Sequence, residues 1–539
     1  MVDRFENGDP TNDGEIDPAD PTAWHGGDVA GLSRRLDWLE ALGVETVWTS
    51  PLTLGRREPF MGHGAYHGYW VLEHGEPDPH LGTWEELRAL SDALRARGMR
   101  LYLDAVLNHV SYEAPLTTRQ PGWFHGRGAI EDWGDPVQLV EGDVHGLPDL
   151  AVEQEEVFAY LAGTLDTWIE KVRPAGLRLD AVKHLPVSFW QRLAAHLHQK
   201  HGDDFELLGE DLEGDPFLLA GRWKAAGFDS VFDFPLRYAL VDVACNDQGA
   251  SRLASLLSLD RVYEHPERLT TLLDNHDLAR IASECGEPTN IRLALSLLYL
   301  LRGTPSLLYG TEVGLKGRTE LEVRADMRFE ADHPLRAHVA ALARQRAAHP
   351  ALSRGATLIL ELEARTLLLL RVPREGEGSA VLVGVNVSGA PHTFTTRGAP
   401  VALPEATLEV GSWDAGMVAL PLAPEALAAL REALRMRGTL EAPRQRELTF
   451  EARVPGVGED ETVLLCGSDP ALGSWRPERA FELEPVGEGV FRGTLSLPEP
   501  AVIEWKLLRR RGKTFTWQGG ANRSLHLDGG GEDRRQLAW

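Results

Sequence analysis

At 539 residues the chain is long enough for about three to four domains. Its composition, 43% hydrophobic and 25% charged, excludes a largely disordered protein. The 81 acidic against 55 basic residues give a net charge of −26, which argues against nucleic acid or an anionic membrane as the main partner and favours a neutral or cationic ligand.

The chain opens on an acidic, Asn-rich stretch, DRFENGDPTND, with no signal-peptide pattern. The longest apolar run, Leu293 to Leu301, is too short to cross a bilayer. Up to about residue 350, short apolar segments alternate with helical periodicities such as Leu32, Leu36 and Leu39, or Leu87, Leu90 and Leu94. Seven of these segments read as buried strands: GVETVWTS (43–50), MRLYLDAVLNH (99–109), AGLRLDAV (175–182), DFELLGE (204–210), FDSVFDF (228–234), RLTTLLDNHD (268–277) and TPSLLYG (304–310). MVDRF reads as the stub of an eighth, and the set predicts a (β/α)8 TIM barrel over 1–352 with its polar residues at the strand C-termini. The long Gly-, Trp- and His-rich connection 110–148 reads as a small inserted subdomain. Residues 353–422 then predict a β-sandwich, 423–444 a helical connector, and 445–539 a second all-β unit. The cysteines, Cys245, Cys285 and Cys466, are distant and odd in number, so they predict buried inert thiols rather than a zinc site or disulfide framework.

The chemistry concentrates at strand ends. In GLRLDAVKH, Arg178 and Asp180 are two apart and share one strand face; the pair suits either a structural ion pair or an aimed nucleophile. Glu210 closes the next strand and could be a solvated surface carboxylate, and His276 and Asp277 in DNHD could equally belong to an Asx-rich turn. Together, three carboxylates converging at one barrel mouth beside histidines suit glycoside hydrolysis, with one as nucleophile and another as acid and then base.

Over roughly residues 1–430 the chain resembles the α-amylase family, glycoside hydrolase family 13. The resemblance rests on DAVLNH (104–109), LPDL (147–150), GLRLDAVKH (176–184), GED (209–211) and LLDNHD (272–277), in order, with GVETVWTSP and GTPSLLYGTE as flanking strand motifs. It implies that Asp180 is the nucleophile, Glu210 the general acid/base and Asp277 the transition-state stabiliser, with Arg178 orienting Asp180. His109, His276, His67 and Tyr69 would hold the sugar, and Lys183 and His184 would meet the leaving-group side. It also implies Ca²⁺ at Asn108, Asp149 and the His184 carbonyl, a set of hard oxygens suited to that ion. A second Ca²⁺ site, similar to that of cyclodextrin-forming relatives, would use Asn7, Asp9, Asn12, Asp13, Gly26 and Asp28; a solvated Asx-rich loop is the other reading. The last hundred residues resemble a starch-binding domain of carbohydrate-binding module family 20, which implies a platform of Trp475 and Trp517 with Lys506 and Asn522 beside it.

Some positions depart from cyclodextrin-forming relatives. His145 and Leu212 stand where those relatives place aromatic residues, and 423–444 leaves no room for their immunoglobulin-like domain, which disfavours cyclisation. The residues around GVGEDE and PVGEGVF predict one starch-binding surface, not two. The expected protein is a secreted, monomeric, endo-acting retaining enzyme on starch, amylose and maltodextrins, with transglycosylation or release of one defined malto-oligosaccharide as alternatives, and a non-catalytic glucan binder as a remote one.

Overall fold

The computed structural model describes residues 1–376, 378–436, 443–528 and 534–539. It resolves into two compact units: 1–234, 268–284 and 304–345 in the first, and 235–267, 285–303 and 346–539 in the second.

All seven predicted strands of the first unit form: β1 (Thr46–Trp48), β2 (Arg100–Ala105), β3 (Gly176–Leu179), β4 (Glu206–Gly209), β5 (Ser230–Val231), β6 (Thr270–Leu272) and β7 (Thr304–Ser306). β1 to β5 make one parallel sheet in sequence order, β6 pairs with β7 in parallel, and a single bridge from Phe232 to Thr270 joins the two sets. Parallel strands need covering on both faces, which explains their near-continuous apolar runs. The helix Trp84–Ala96 shows how the covering is built. Thr83 and Glu86 close a capping box at its start, and Leu87, Leu90 and Leu94 form its buried stripe.

The predicted stub of an eighth strand is not a strand. Val2 to Phe5 close a turn, with the Phe5 N–H donating to the Val2 carbonyl and the Val2 N–H to Ser50 Oγ. A cavity of about 150 Å³ lies there instead, lined by Val2 and Phe5, by Thr46–Trp48 of β1 and by Ser306–Tyr309 at the end of β7. With one amide spent within the turn and the other on a side chain, the segment offers neither strand a ladder.

In the second unit, strands Gly355–Leu362, Thr366–Pro373, Ala380–Asn386 and Asp414–Leu420 form an antiparallel sheet, and His392–Thr395 pairs with Thr407–Val410. Leu368, Leu370 and Leu382 share a core with Phe394, Leu408 and Val410. The predicted connector is more than a link: helix Pro424–Met436 puts Leu427, Leu430 and Leu434 into that same core. Residues 437–442 of it lie outside the described residues. The C-terminal all-β unit follows, with Arg444–Arg453 between Val490–Glu499 and a parallel Arg534–Ala538, around a core that includes Phe450, Val463, Leu465, Trp505 and Leu507. Helix Ala250–Ser258 of the same unit packs on strand Ala501–Arg511, with Ser255 donating to Ser468 Oγ and Ser258 to the Val502 carbonyl.

One cysteine expectation is overturned. Cys245 and Cys285 form a disulfide 40 residues apart in sequence, because the helices Phe234–Cys245 and Ile281–Cys285 both end there and bring the Cα atoms to 4.2 Å. Cys466 is buried and free.

Candidate active site

Register alone assembles the centre of the site. Asp104 of β2 sits opposite Arg178 of β3, and each following chain segment extends the ladder by one residue: the Asp180 N–H donates to the Ala105 carbonyl and the Glu210 N–H to the Leu179 carbonyl. Asp180 and Glu210 are therefore placed by backbone, one step past the ends of adjacent strands.

Arg178, fully buried, is the hub. Its Nη1 donates to Asp180 Oδ1 at 2.5 Å and to Asp104 Oδ1 at 3.0 Å, and its Nη2 pairs with Glu210 Oε1 at 3.0 Å. Asp104 also accepts from Trp48 Nε1 (3.0 Å) and the Tyr69 hydroxyl (2.9 Å). A buried guanidinium with this many acceptors stays charged and fixed. Ala181 takes a left-handed backbone (φ 53°), which turns its N–H onto Glu210 Oε2 at 3.3 Å.

The three carboxyls differ in environment. Burial pushes Glu210 up to about 8, against the pull of Arg178, and the charges of Asp180 and Asp277 push the same way. Burial likewise raises Asp104 to about 7 despite Arg178. For Asp277, partial burial works against ionisation, but His276 Nε2 at 3.0 Å and Arg324 Nη2 at 2.8 Å hold it well below the ordinary carboxylate range. Burial lowers His276 itself, so at neutral pH it is a neutral donor and Arg324 supplies the opposing charge.

The remaining predicted residues form a wall of rings. Gly68, at φ 85°, lets the chain turn where a Cβ would lie 2.4 Å from the Pro51 carbonyl oxygen, and it sets His67 and Tyr69 side by side. Tyr69 stacks on His276 at 5.2 Å and lies 5.8 Å from His67. His109 Nε2 donates to the Tyr69 carbonyl at 3.1 Å. Burial lowers His67 and His109 too, so the wall is neutral. Lys183 Nζ donates to the Leu212 carbonyl at 2.6 Å, and His184 Nδ1 donates to the Leu139 carbonyl of the insert at 3.0 Å.

Sequence reasoning did not single out Asp104, Trp48 or Arg324. The first opens the motif DAVLNH and Trp48 lies in GVETVWTS, so both had a signal; Arg324 stands in no motif and is found only by folding.

The calcium candidates divide in two. Asn108 and Asp149 are buried on either side of one bridge, where the Leu150 N–H donates to the Asn108 carbonyl. Asn108 Oδ1 is buried with no hydrogen-bond partner, while Asp149 Oδ2 binds His125 Nδ1 at 2.5 Å. The third expected ligand is the His184 backbone carbonyl, and the ring of the same residue is held by the Leu139 carbonyl. In the N-terminal loop, Asp28 accepts from Gly8 and Asp9 amides and from Asn12 Nδ2, and Asn7 Nδ2 donates to both Asp13 oxygens. Asn7 Oδ1 and Asn12 Oδ1 are buried and unpaired, and a Cβ on Gly26 would fall 2.8 Å from Asp13 Oδ1. The Asp9 side chain turns instead to Thr11. The orphaned amide oxygens of Asn108, Asn7 and Asn12 suit a hard cation, although among the described residues no three or more His, Cys, Asp or Glu cluster as a metal site.

In the C-terminal unit Trp475 and Trp517 lie 6.4 Å apart and tilted by 40°, with Trp517 39% exposed and Trp475 half-buried on Leu464, Cys466 and Leu508. Lys506 shares the strand face of Leu508, the side on which Trp475 packs. Asn522 Nδ2 donates to Glu504 Oε2 at 3.4 Å.

Comparison with known proteins matches two segments of the chain to family models. Residues 1–121 and 138–351 match the family model "Alpha amylase, catalytic domain", leaving 122–137 unmatched, and 445–536 match "Starch binding domain". The chain is 31% identical over 380 residues to a Beta/alpha-amylase of Paenibacillus polymyxa, covering 66% of this chain but only 30% of that one. It is 24% identical over 614 residues to a cyclomaltodextrin glucanotransferase of Klebsiella oxytoca, covering 98% and 91%. A solved Anoxybacillus α-amylase superposes with a TM-score of 0.73 at 31% identity, over 78% of this chain and 97% of that chain. No helix among the described residues is long and apolar enough to cross a membrane. With its matched catalytic and C-terminal segments, the chain belongs to the α-amylase family, glycoside hydrolase family 13, and carries a starch-binding domain of carbohydrate-binding module family 20.

Proposed function

We propose that the chain is an endo-acting α-amylase that cleaves α-1,4-glucosidic bonds of starch and related glucans with retention, on a (β/α)8 fold of which seven strands are formed. The observation that carries this reading is the single guanidinium of Arg178 shared by Asp180 and Glu210, with burial keeping Glu210 protonated at neutral pH. A retaining pair needs carboxyls about 5–5.5 Å apart, one aimed and one proton-bearing.

In this reading Glu210 donates its proton to the glycosidic oxygen while Asp180 attacks the anomeric carbon, forming a glycosyl ester and releasing the leaving sugar. Glu210, now a carboxylate, takes a proton from water, which attacks the same carbon and frees Asp180. Asp277, held ionised by Arg324, accepts hydroxyl hydrogen bonds that strengthen as positive charge develops on the ring. His67, Tyr69, His109 and His276 pack the ring, and Arg178 keeps Asp180 aimed. Bound Ca²⁺ would act as a structural clamp, held by Asn108, Asp149 and the His184 carbonyl and, at the N-terminal loop, by Asn7, Asn12, Asp13, Asp28 and the Gly26 carbonyl. The pair Trp475 and Trp517, with Lys506 and Asn522, would hold granular starch. An extracellular, monomeric enzyme suits an insoluble polymer substrate.

The second reading is transglycosylation, which the Klebsiella relative's name raises. His145 and Leu212, in place of aromatic residues, favour hydrolysis. Chromatography of amylose digests over time separates the two: a spread of linear oligosaccharides with early loss of iodine colour is expected. Cyclic products, or one oligosaccharide from the outset, would overturn the endo-hydrolytic reading.

A further inference from the structure

We propose that Trp133 is a sugar-stacking residue on the leaving-group side of the cleft, holding a glucose ring of the α-1,4-glucan beyond the cleaved bond. The inference rests on the function proposed above and deepens it, and it starts from position. Trp133 lies in the inserted segment, within the stretch 122–137 that the family model leaves unmatched.

The first argument is exposure. Trp133 is 50% exposed, and an indole left open to water forgoes the burial that ordinarily fixes it. The second is that the residue is held in place. Gln138 Oε1 accepts from the Glu131 and Asp132 amides at 2.9 and 3.1 Å, Asp132 Oδ1 accepts from the Gly134 amide, and Asp135 caps the helix Pro136–Glu141. The turn carrying Trp133 is therefore pinned on both sides, and its open indole face is pre-organised.

The third argument is direction. A proton donor must reach the departing oxygen, so the leaving sugar emerges on the side of Glu210. The segment Ala181–His184 lies there, because the Ala181 amide donates to Glu210 Oε2 and the Val182 amide to the Glu210 carbonyl. Trp133 meets that segment at its end: its ring stands edge-on to His184 at 5.9 Å and 5.8 Å from His145. His184 in turn donates to the carbonyl of Leu139, on the helix that follows Trp133. On the other flank Lys183 fixes the carbonyl of Leu212, whose side chain is itself exposed. A glucose ring presents an apolar CH face that packs on an indole while its hydroxyls stay in water or meet the histidines.

The test compares two substrates on the full-length chain. Maltoheptaose fills both sides of the cleavage point, whereas α-maltosyl fluoride places no sugar on the leaving side. The ratio of kcat/KM for maltoheptaose to that for the fluoride should fall at least about fivefold in Trp133→Ala and Trp133→Leu, and stay within about twofold of wild type in Trp133→Phe. The Leu variant keeps apolar volume and the Phe variant keeps a ring, so the comparison survives even if the Ala variant folds poorly. An unchanged ratio in Trp133→Ala and Trp133→Leu, an equal loss on both substrates, or a Phe variant as impaired as Leu would each overturn the assignment. A wild-type chain that turns over neither substrate would instead sink the proposed function.

Discussion

Replacing Glu210 by Gln separates the acid's chemical role from its cost to the fold. The side chain is buried against Arg178, and its carboxyl is raised from the ordinary 4.5 to about 8. A raised carboxylic acid binds its proton more tightly in the folded state, so its contribution is fully present below about pH 4.5. That contribution is lost as pH rises to about 8. At 1.36 kcal/mol per unit, the loss amounts to no more than about 4–5 kcal/mol. Gln stays neutral throughout, so the stability of Glu210→Gln relative to wild type should grow with pH across that window and level off above it. Urea midpoints at pH 5, 6, 7, 8 and 9 read this directly. Activity gives the second readout: wild-type kcat/KM should decline above about pH 8, and the variant should lose about 10²–10⁴-fold on starch. On α-maltosyl fluoride, whose leaving group needs little proton assistance, the loss should be far smaller. A stability difference that is flat from pH 5 to 9, or equal losses on the two substrates, would refute the reasoning.

Chelation with EDTA should lower the melting temperature and re-added Ca²⁺ restore it, since a ligand at 100 times its Kd adds about 2.7 kcal/mol to the native state. Asn108→Ala should shrink that response and leave the part due to the N-terminal loop, and an unchanged melting curve on chelation would remove the calcium assignment. Trp475→Ala with Trp517→Ala should reduce adsorption to granular starch by a far larger factor than turnover of soluble maltodextrin, because tethering matters at an insoluble surface. Matching losses would mean that the pair is part of the fold and not of a platform.

Much of this was readable in the chain, and what was missed has physical causes. The seven strands announce themselves because parallel strands are apolar on both faces, and Asp180 and Glu210 follow from register once β2, β3 and β4 are aligned. MVDRF has strand-like residues, but Phe5 spends its amide in a local turn and Val2 gives its own to the Ser50 side chain, a competition that local pattern does not decide. Leu427, Leu430 and Leu434 show a helical stripe in sequence, whereas the sheet that buries it is visible only in three dimensions. The Cys245–Cys285 bridge joins residues 40 apart through two helix ends, and an odd cysteine count hid it. Arg324 and Trp133 sit outside every motif, and only their neighbours, Asp277 and His184, give them meaning.

The central claim is that Asp180 carries the sugar covalently during turnover. Mixing Glu210→Gln with α-maltosyl fluoride, quenching in acid and mapping the digested protein by mass spectrometry tests it most directly, because deglycosylation without the base should be slow. The account predicts a maltosyl adduct on the peptide containing Asp180. An adduct on Asp277, or consumption of the fluoride with no adduct on Asp180, would contradict it.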